Sequence, residues 1–288
     1  MIAETPPTRI PRQKIPARES LGMSLVYCVV SQRARGLSIG VNMNPDGQCN
    51  YDCIYCEVDR RKSKGDSLVD VTKMRTELDH VLSLAMTGKL RDFPAFHATP
   101  ADLLELKEVA LSGDGEPTLC PNFRDVIEGV AHVRAAGKWP FFKIVLITNA
   151  TGLHLPNVKS GIEILTSYDE VWVKLDAGSQ LGMDLVNRSD VRIETVIENI
   201  IRLGRERPIV IQSLFPLQRG AEPLPEEIDA YLDRLRELRD ARTRIDYVQV
   251  YSAHRPAVHP DCAHLPLRTL SAIARRIREE TGLRAEVF

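Results

Sequence analysis

The sequence lacks most of the features that would place it in a membrane, outside the cell or on nucleic acid. Its 288 residues carry a formal net charge of -1, so no global field attracts polyanions. No apolar run approaches the roughly 18 to 20 residues that a membrane-spanning helix needs, and residues 1–20 have no apolar core typical of a secretory signal. We therefore expect a cytoplasmic protein without a membrane partner, in which clustered cysteines bind metal more readily than they form disulfides.

Short apolar runs alternate with longer segments of helical period along most of the chain. The runs predict strands at Ser38–Met43, Glu108–Leu111, Lys143–Thr148, Glu170–Leu175, Ile209–Leu214 and Tyr247–Tyr251. Helices are predicted near 71–87, 121–136, 156–167, 190–205, 224–240 and 266–281. This alternation predicts an α/β fold with a partial parallel (β/α)6 TIM-like barrel, and a doubly wound open sheet is the alternative. The predicted domains are an irregular proline-rich arm over 1–20 and one barrel domain over 21–288.

Three of the six cysteines lie in the eight-residue segment CNYDCIYC, residues 49–56. Structural zinc usually takes four ligands, and this segment offers three cysteines and no histidine. A cubane iron–sulfur cluster fits better, because three thiolates leave one of its four irons open to another ligand. Cys49, Cys53 and Cys56 are therefore predicted metal ligands, with a [4Fe-4S] cluster favoured over zinc.

The C-x3-C-x2-C spacing, with Tyr55 before the last cysteine, resembles the signature of radical S-adenosylmethionine enzymes. The later segment GDGEP, residues 113–117, is similar to their Gly-Gly-Glu-like motif, with Asp114 in place of the middle glycine. This resemblance implies a partial barrel of the radical SAM type and a cluster whose open iron binds S-adenosylmethionine. It also implies a reductant such as flavodoxin or ferredoxin, and cleavage to a 5′-deoxyadenosyl radical that abstracts hydrogen from a substrate.

The segments SQRARGLSIGVN, CNYDCIYCE, LSGDGEPTL and VQVYSAHRP resemble the wyosine-synthase-like branch of this superfamily over about residues 30 to 256. That branch includes enzymes that modify a guanine in transfer RNA, so the resemblance implies a nucleoside or RNA base as a candidate substrate. Wyosine synthases carry a second cluster on further cysteines upstream of the motif. This chain has one cysteine there, Cys28, so the wyosine reaction itself is not implied.

The resemblance also implies which residues bind S-adenosylmethionine. They stand beside the cluster or at predicted strand ends: Tyr55, Gly113, Gly115, Glu116, Asn149, Lys174 and Asp176. In a parallel barrel the carboxyl ends of the strands share one mouth, where catalytic groups gather. The alternatives are ordinary loop side chains, with Lys174 in a salt bridge, or Lys174 acting as an amine nucleophile.

Two further groups of residues are candidates for metal or phosphate. The segment HRPAVHPDCAH from His254 to His264, or a convergence of Cys28, Cys120 and Cys262, could hold an auxiliary metal. Basic residues around the cysteine segment and in the arm are candidates for contacts to RNA phosphates: Arg9, Arg12, Lys14, Arg18, Arg33, Arg35, Arg60, Arg61, Lys62 and Lys64. No interleaved aromatic residues favour base stacking there, so solvated charged loops are the alternative.

Two other functions stay open at the level of sequence. A glycyl-radical activase that acts on a partner protein would share the cysteine motif. A non-catalytic zinc or iron–sulfur binding protein would share the cysteines without the radical chemistry. The sequence does not identify the substrate or the residues that contact it.

Overall fold

A computed structural model describes residues 21–59, 65–255 and 257–288. The predicted arm over 1–20 and the basic residues Arg60, Arg61, Lys62 and Lys64 lie outside the described residues. No helix in the described ranges is both long enough and apolar enough to cross a membrane.

The core of the fold is a curled eight-stranded sheet in the order β1-β2-β3-β4-β5-β6-β8-β10. Its strands are β1 Val26–Ser31, β2 Gly36–Asn42, β3 Leu106–Ser112, β4 Lys143–Thr148, β5 Glu170–Lys174, β6 Ile209–Leu214, β8 Ile245–Tyr251 and β10 Ala285–Val287. The pairs from β2 to β8 are parallel, β10 adds to β8 in parallel, and β1 pairs antiparallel with β2. A two-stranded antiparallel ribbon joins β7 Pro216–Gln218 to β9 Cys262–His264.

Seven α-helices are described: α1 Val71–Met86, α2 Phe123–Ala135, α3 Pro156–Ile162, α4 Gln180–Val186, α5 Ile193–Glu206, α6 Pro225–Asp240 and α7 Leu267–Thr281. They pack against the sheet through apolar stripes of helical period. In α5, for example, Ile193, Val196, Ile200 and Leu203 are all buried. Strand side chains such as Ile144 and Leu146 share this core with the helices.

The other face of the sheet lines the inside of the half-barrel, because successive strand residues point to opposite faces. Val145, Trp172 and Val210 form a second, smaller apolar cluster there, separate from the helix-facing core. Above it lies a polar layer in which the Gln212 amide donates to Gln249 Oε1 at 3.0 Å. We call this inner space the lumen, and the edge at the carboxyl ends of β2 to β8 the mouth.

The partial parallel barrel predicted from the sequence is confirmed, because the parallel strands follow one another in chain order around the curl. The doubly wound alternative is wrong, since that topology reverses strand order partway across the sheet. The bounds of β4 and β6 match the prediction, whereas α3 ends at Ile162, short of the predicted 167. The strands β1 and β10 and the two-turn helix α4 were not predicted. β10 has three residues, too few to show a period, whereas β1 and α4 are as long as the predicted β4 and α3 and were overlooked.

Candidate active site

The candidate site is built from loops that meet at the mouth, beginning with the loops after β2 and β3. Met43 N donates to Ser112 O at 2.8 Å, and Glu116 N donates to Gln48 O at 2.9 Å. Gly115 lies so close to this loop that an added Cβ would stand 1.8 Å from Gln48 O. The GDGEP segment is therefore packed backbone to backbone against the entrance to the cysteine segment.

Asp114, where the sequence departs from the Gly-Gly-Glu-like pattern, has a defined role in this packing. Its backbone N–H donates to Asn42 Oδ1 at 3.0 Å, and its carboxylate accepts from Asn42 Nδ2 at 2.7 Å. The preceding Gly113 has φ +145°, and a Cβ there would stand 2.2 Å from Asn42 Oδ1. The turn therefore requires glycine at position 113 and accepts aspartate at 114.

The cysteine segment itself is held from the opposite side by the end of α4. Asp52 N donates to Asn187 O at 3.0 Å, and Ile54 N donates to Val186 O at 2.9 Å. A tight turn follows, in which Cys56 N donates to Cys53 O at 2.9 Å. Cys53 is 8% exposed, whereas Cys49 and Cys56 are partly exposed. Backbone bonds thus fix the three sulfur-bearing residues at the mouth.

The donors that the cysteine segment offers are three thiols, the ligand set of a cubane cluster with one open iron. In the described ranges, no three His, Cys, Asp or Glu side chains are grouped so as to hold one metal ion. A cubane cluster does not need that convergence, because each cysteine thiolate binds a different iron. Burial, and then the charge of Asp176, raise the pKa of Cys53 to about 12. The Cys53 thiolate, which is the form that binds metal, would therefore be stabilised by a positively charged partner such as a metal ion.

A polar network connects Cys53 to the lumen. The Tyr55 hydroxyl donates to Asp176 Oδ2, and the Asn187 amide donates to the same oxygen at 2.9 Å and to Cys53 Sγ at 3.4 Å. Asp176 Oδ1 lies 3.4 Å from Lys174 Nζ and accepts a hydrogen bond from Leu214 N, at the end of β6, at 2.9 Å. Tyr55, Lys174 and Asp176, three of the predicted cofactor-binding residues, therefore lie together beside Cys53, a predicted metal ligand.

Lys174 lies in an ionic and hydrogen-bonded setting at the mouth. Burial lowers the pKa of Lys174, but the charge of Asp176 and the hydroxyl of Tyr251 outweigh it and raise the pKa overall. The ammonium donates to Tyr251 Oη at 3.1 Å and lies 4.9 Å from the centre of the Tyr55 ring. Because an amine must lose its proton to attack a carbonyl, the geometry favours an ionic role.

Glu116 and Asn149 form a second network, on the β4 side of the mouth. Glu116 is 3% exposed, and its carboxylate accepts from the hydroxyls of Thr118 and Thr148 and from Asn149 N at 2.7 Å. Burial raises the pKa of this carboxyl even though the hydrogen bonds oppose the shift. The Asn149 amide donates to Asn50 Oδ1 at 2.8 Å, which attaches this network to the cysteine segment.

The auxiliary metal candidates are distributed over different elements. Cys28 is fully buried on β1, Cys120 donates to Asn122 Oδ1 at 3.4 Å, and Cys262 lies on β9. The rings of His254 and His264 stack with centroids 4.4 Å apart. No three metal-ligating side chains within the described part of the chain gather around these residues.

Sequence reasoning missed two side chains that connect the cysteine segment to the rest of the site. Asn187 ends α4 and Asn50 lies between the cysteines, and each hydrogen-bonds a residue that was predicted to bind the cofactor. Asn50 could have been identified as a candidate site residue because it lies between Cys49 and Cys53. Asn187 had no comparable signal, because it lies 134 positions from Cys53 in a short helix.

The curled half-barrel is similar in fold to solved structures of radical S-adenosylmethionine enzymes. Over 91% of this chain, the structure superimposes on a radical SAM methyltransferase from Sphaerobacter thermophilus with a TM-score of 0.60 at 14% identity, covering 68% of that chain. A structure of TYW1 with a lysine-pyruvate adduct bound matches 87% of this chain and 75% of its own, with a TM-score of 0.55 at 18% identity. The fold expected from the resemblance is confirmed.

The sequence relatives are proteins described as UPF0026. One from Helicobacter pylori strain 26695 is 28% identical over 186 residues, which are 63% of this chain and 52% of the relative. A second, from strain J99, is 26% identical over 81% of this chain and 68% of its own length. The chain therefore spans about half the length of the first relative and about two thirds of the second. No family model matches the chain.

Proposed function

We propose that this protein is a radical S-adenosylmethionine enzyme whose [4Fe-4S] cluster is held by Cys49, Cys53 and Cys56. The observation that supports the proposal most directly is the hydrogen-bonded connection from Cys53 through Asn187 to Asp176. It joins a predicted cluster ligand to a charged pair at the mouth of a radical SAM fold. When bound and reduced by one electron, the cluster and S-adenosylmethionine together supply a 5′-deoxyadenosyl radical for hydrogen abstraction.

The chain's own residues would hold the cofactor by complementary charge. The methionine end of S-adenosylmethionine carries an ammonium and a carboxylate, and Asp176 and Lys174 offer one charge of each sign beside Tyr55. Their separation from bulk water strengthens such ionic contacts, since the Asp176 side chain is 1% exposed and that of Lys174 is 15% exposed.

The loop after β3 would hold the cysteine segment in place through close backbone packing. Gly113 and Gly115 allow the backbone to approach the cysteine segment closely, and Glu116 fixes the loop to the end of β4 through Thr148 and Asn149. Glu116 stays a proposed cofactor-binding residue, and the hydrogen bonds that both of its oxygens accept fix the position of the loop that carries it. Asn149 holds the adjacent Asn50 within the cysteine segment in the same way.

The proposed substrate class is a nucleoside or an RNA base, and its support is the branch resemblance in the motifs. Among similar solved structures, a spore photoproduct lyase was determined with a dinucleoside spore photoproduct, at a TM-score of 0.52 and 9% identity.

A glycyl-radical activase and a non-catalytic metal-binding protein are the competing functions. The external reductant would be a flavodoxin- or ferredoxin-like protein.

The test is anaerobic reconstitution with iron and sulfide, followed by dithionite reduction with S-adenosylmethionine and chromatography for 5′-deoxyadenosine. About four irons and four sulfides per chain and formation of 5′-deoxyadenosine are expected. Transfer of deuterium into 5′-deoxyadenosine then screens substrates, beginning with total transfer RNA. Uptake of one zinc ion in place of a cluster would overturn the proposal and favour the binding-protein alternative.

A further inference from the structure

Asn187 is the residue that caps the C-terminal end of α4. Its side chain is buried, with 3% of the residue exposed. Its backbone is fixed on both sides, because its N–H donates to Met183 O at 2.8 Å and its carbonyl accepts from Asp52 N at 3.0 Å. The amide group is thus held against the cysteine segment by the helix end rather than by a mobile loop.

The Asn187 amide nitrogen has three acceptors within range. They are Asp176 Oδ2 at 2.9 Å, Cys53 Sγ at 3.4 Å and Tyr55 Oη at 3.4 Å. The Tyr55 hydroxyl gives its proton to Asp176, so it faces Asn187 as an acceptor. A primary amide has two N–H bonds. Asp176 takes one at the shorter distance, and the other is directed toward the sulfur and the phenol.

The surroundings fix which end of the amide faces the sulfur. A cluster thiolate, a carboxylate and the phenol oxygen can all accept a hydrogen bond, whereas the amide oxygen in that position would repel each of them. The burial of the site also removes water that could replace the bond. The N–H to sulfur contact is therefore a property of the folded site.

We propose that Asn187 is a positioning residue that makes the cluster on Cys53 easier to reduce and links that cysteine to the Asp176 carboxylate. A hydrogen bond to a ligand sulfur withdraws negative charge from it, and such bonds are among the factors that set cluster potentials. Asn187 offsets the negative charge of Asp176, which would otherwise disfavour adding an electron nearby. This inference rests on the proposed function.

The test is a redox titration of the reconstituted cluster followed by electron paramagnetic resonance. Asn187→Leu keeps the side-chain size and removes the N–H, so a reduction potential more negative than that of the wild type is expected. Asn187→Asp adds a second carboxylate beside Asp176 and should shift the potential further in the same direction. The matched control is Asn199→Leu, a buried asparagine on α5 that donates to Ala150 O and Thr151 O and has no sulfur contact.

The outcomes distinguish a failure of the proposed function from a failure of the inference about Asn187. A wild type that binds no cluster overturns the proposed function, and this inference with it. A wild type with a full cluster, together with Asn187→Leu at an unchanged potential, overturns this inference alone. If Asn187→Leu loses the cluster, Asn187→Gln, which keeps an N–H donor, must retain more iron than the leucine variant. Equal loss of iron in both variants would show that the Asn187 N–H does not support the cluster, and it would overturn the inference.

Discussion

Replacing Gly115 by alanine is the sharpest test of how the site is assembled. The added Cβ would stand 1.8 Å from Gln48 O and 2.7 Å from Asn44 Cβ, whereas real Cβ contacts essentially never fall below 3.0 Å. Gln48 O is a backbone atom directly before Cys49, so no flexible side chain can move aside. The GDGEP segment and the cysteine segment must therefore separate by about 1 Å, which also stretches the bond from Glu116 N to Gln48 O.

The size of the effect follows from the geometry. A displacement of about 1 Å at a catalytic site typically costs about 100-fold in rate, equivalent to about 2.7 kcal/mol in the activation barrier. We expect G115A to fold and to form 5′-deoxyadenosine about 100-fold more slowly than the wild type after reconstitution. The assay measures iron and sulfide per chain together with the initial rate of 5′-deoxyadenosine formation.

The matched control for G115A is Gly65→Ala, the same chemical change in the segment that follows the cysteines. A Cβ at Gly65 would lie 3.7 Å from its nearest neighbour, Pro45 Cβ, which is an ordinary contact distance. G65A should therefore load iron and react like the wild type. A G115A protein with a full cluster and a rate within two-fold of the wild type would refute the packing argument.

Three other predictions follow from the same structure. Cys53→Ala should lose the cluster and the S-adenosylmethionine cleavage, as measured by bound iron and 5′-deoxyadenosine, whereas Cys262→Ser should keep both; cleavage that survives C53A would contradict the ligand assignment. Lys174→Met should lower the free energy of unfolding, measured by urea denaturation, by about 3 kcal/mol, because it leaves the buried Asp176 charge without its cation. Lys159 is exposed, so Lys159→Met should change the free energy of unfolding little. Burial raises the pKa of Glu108 from 4.5 to about 7, so the folded state binds this proton more tightly than the unfolded state. Wild-type stability should therefore fall by up to about 3 kcal/mol as the pH rises from about 4.5 to 7. Glu108→Gln should remove that part of the slope, and an identical pH dependence in both proteins would show that the carboxyl is not buried in this way.

The fold could be predicted in large part from local patterns. Largely apolar strand segments such as 209–214 and helical stripes such as that of α5 each reflect burial of one segment, which a sequence displays directly. Elements with few residues were missed for the same reason. The three residues of β10 are too few to show a period, and the formation of this strand depends on β8, with which it pairs.

Three closely spaced cysteines, a glycine-rich turn after β3 and charged residues at the ends of later strands can be read directly from the amino-acid sequence. Which of these groups contact one another depends on the folded chain. It placed Tyr55, Lys174 and Asp176 in one network beside Cys53, turned Glu116 toward Thr148 and Asn149, and brought in Asn187 from the end of α4. The physical reason is that hydrogen-bond partners are selected by distance and direction across the curled sheet. Spacing along the chain specifies neither once the residues lie on different strands and loops.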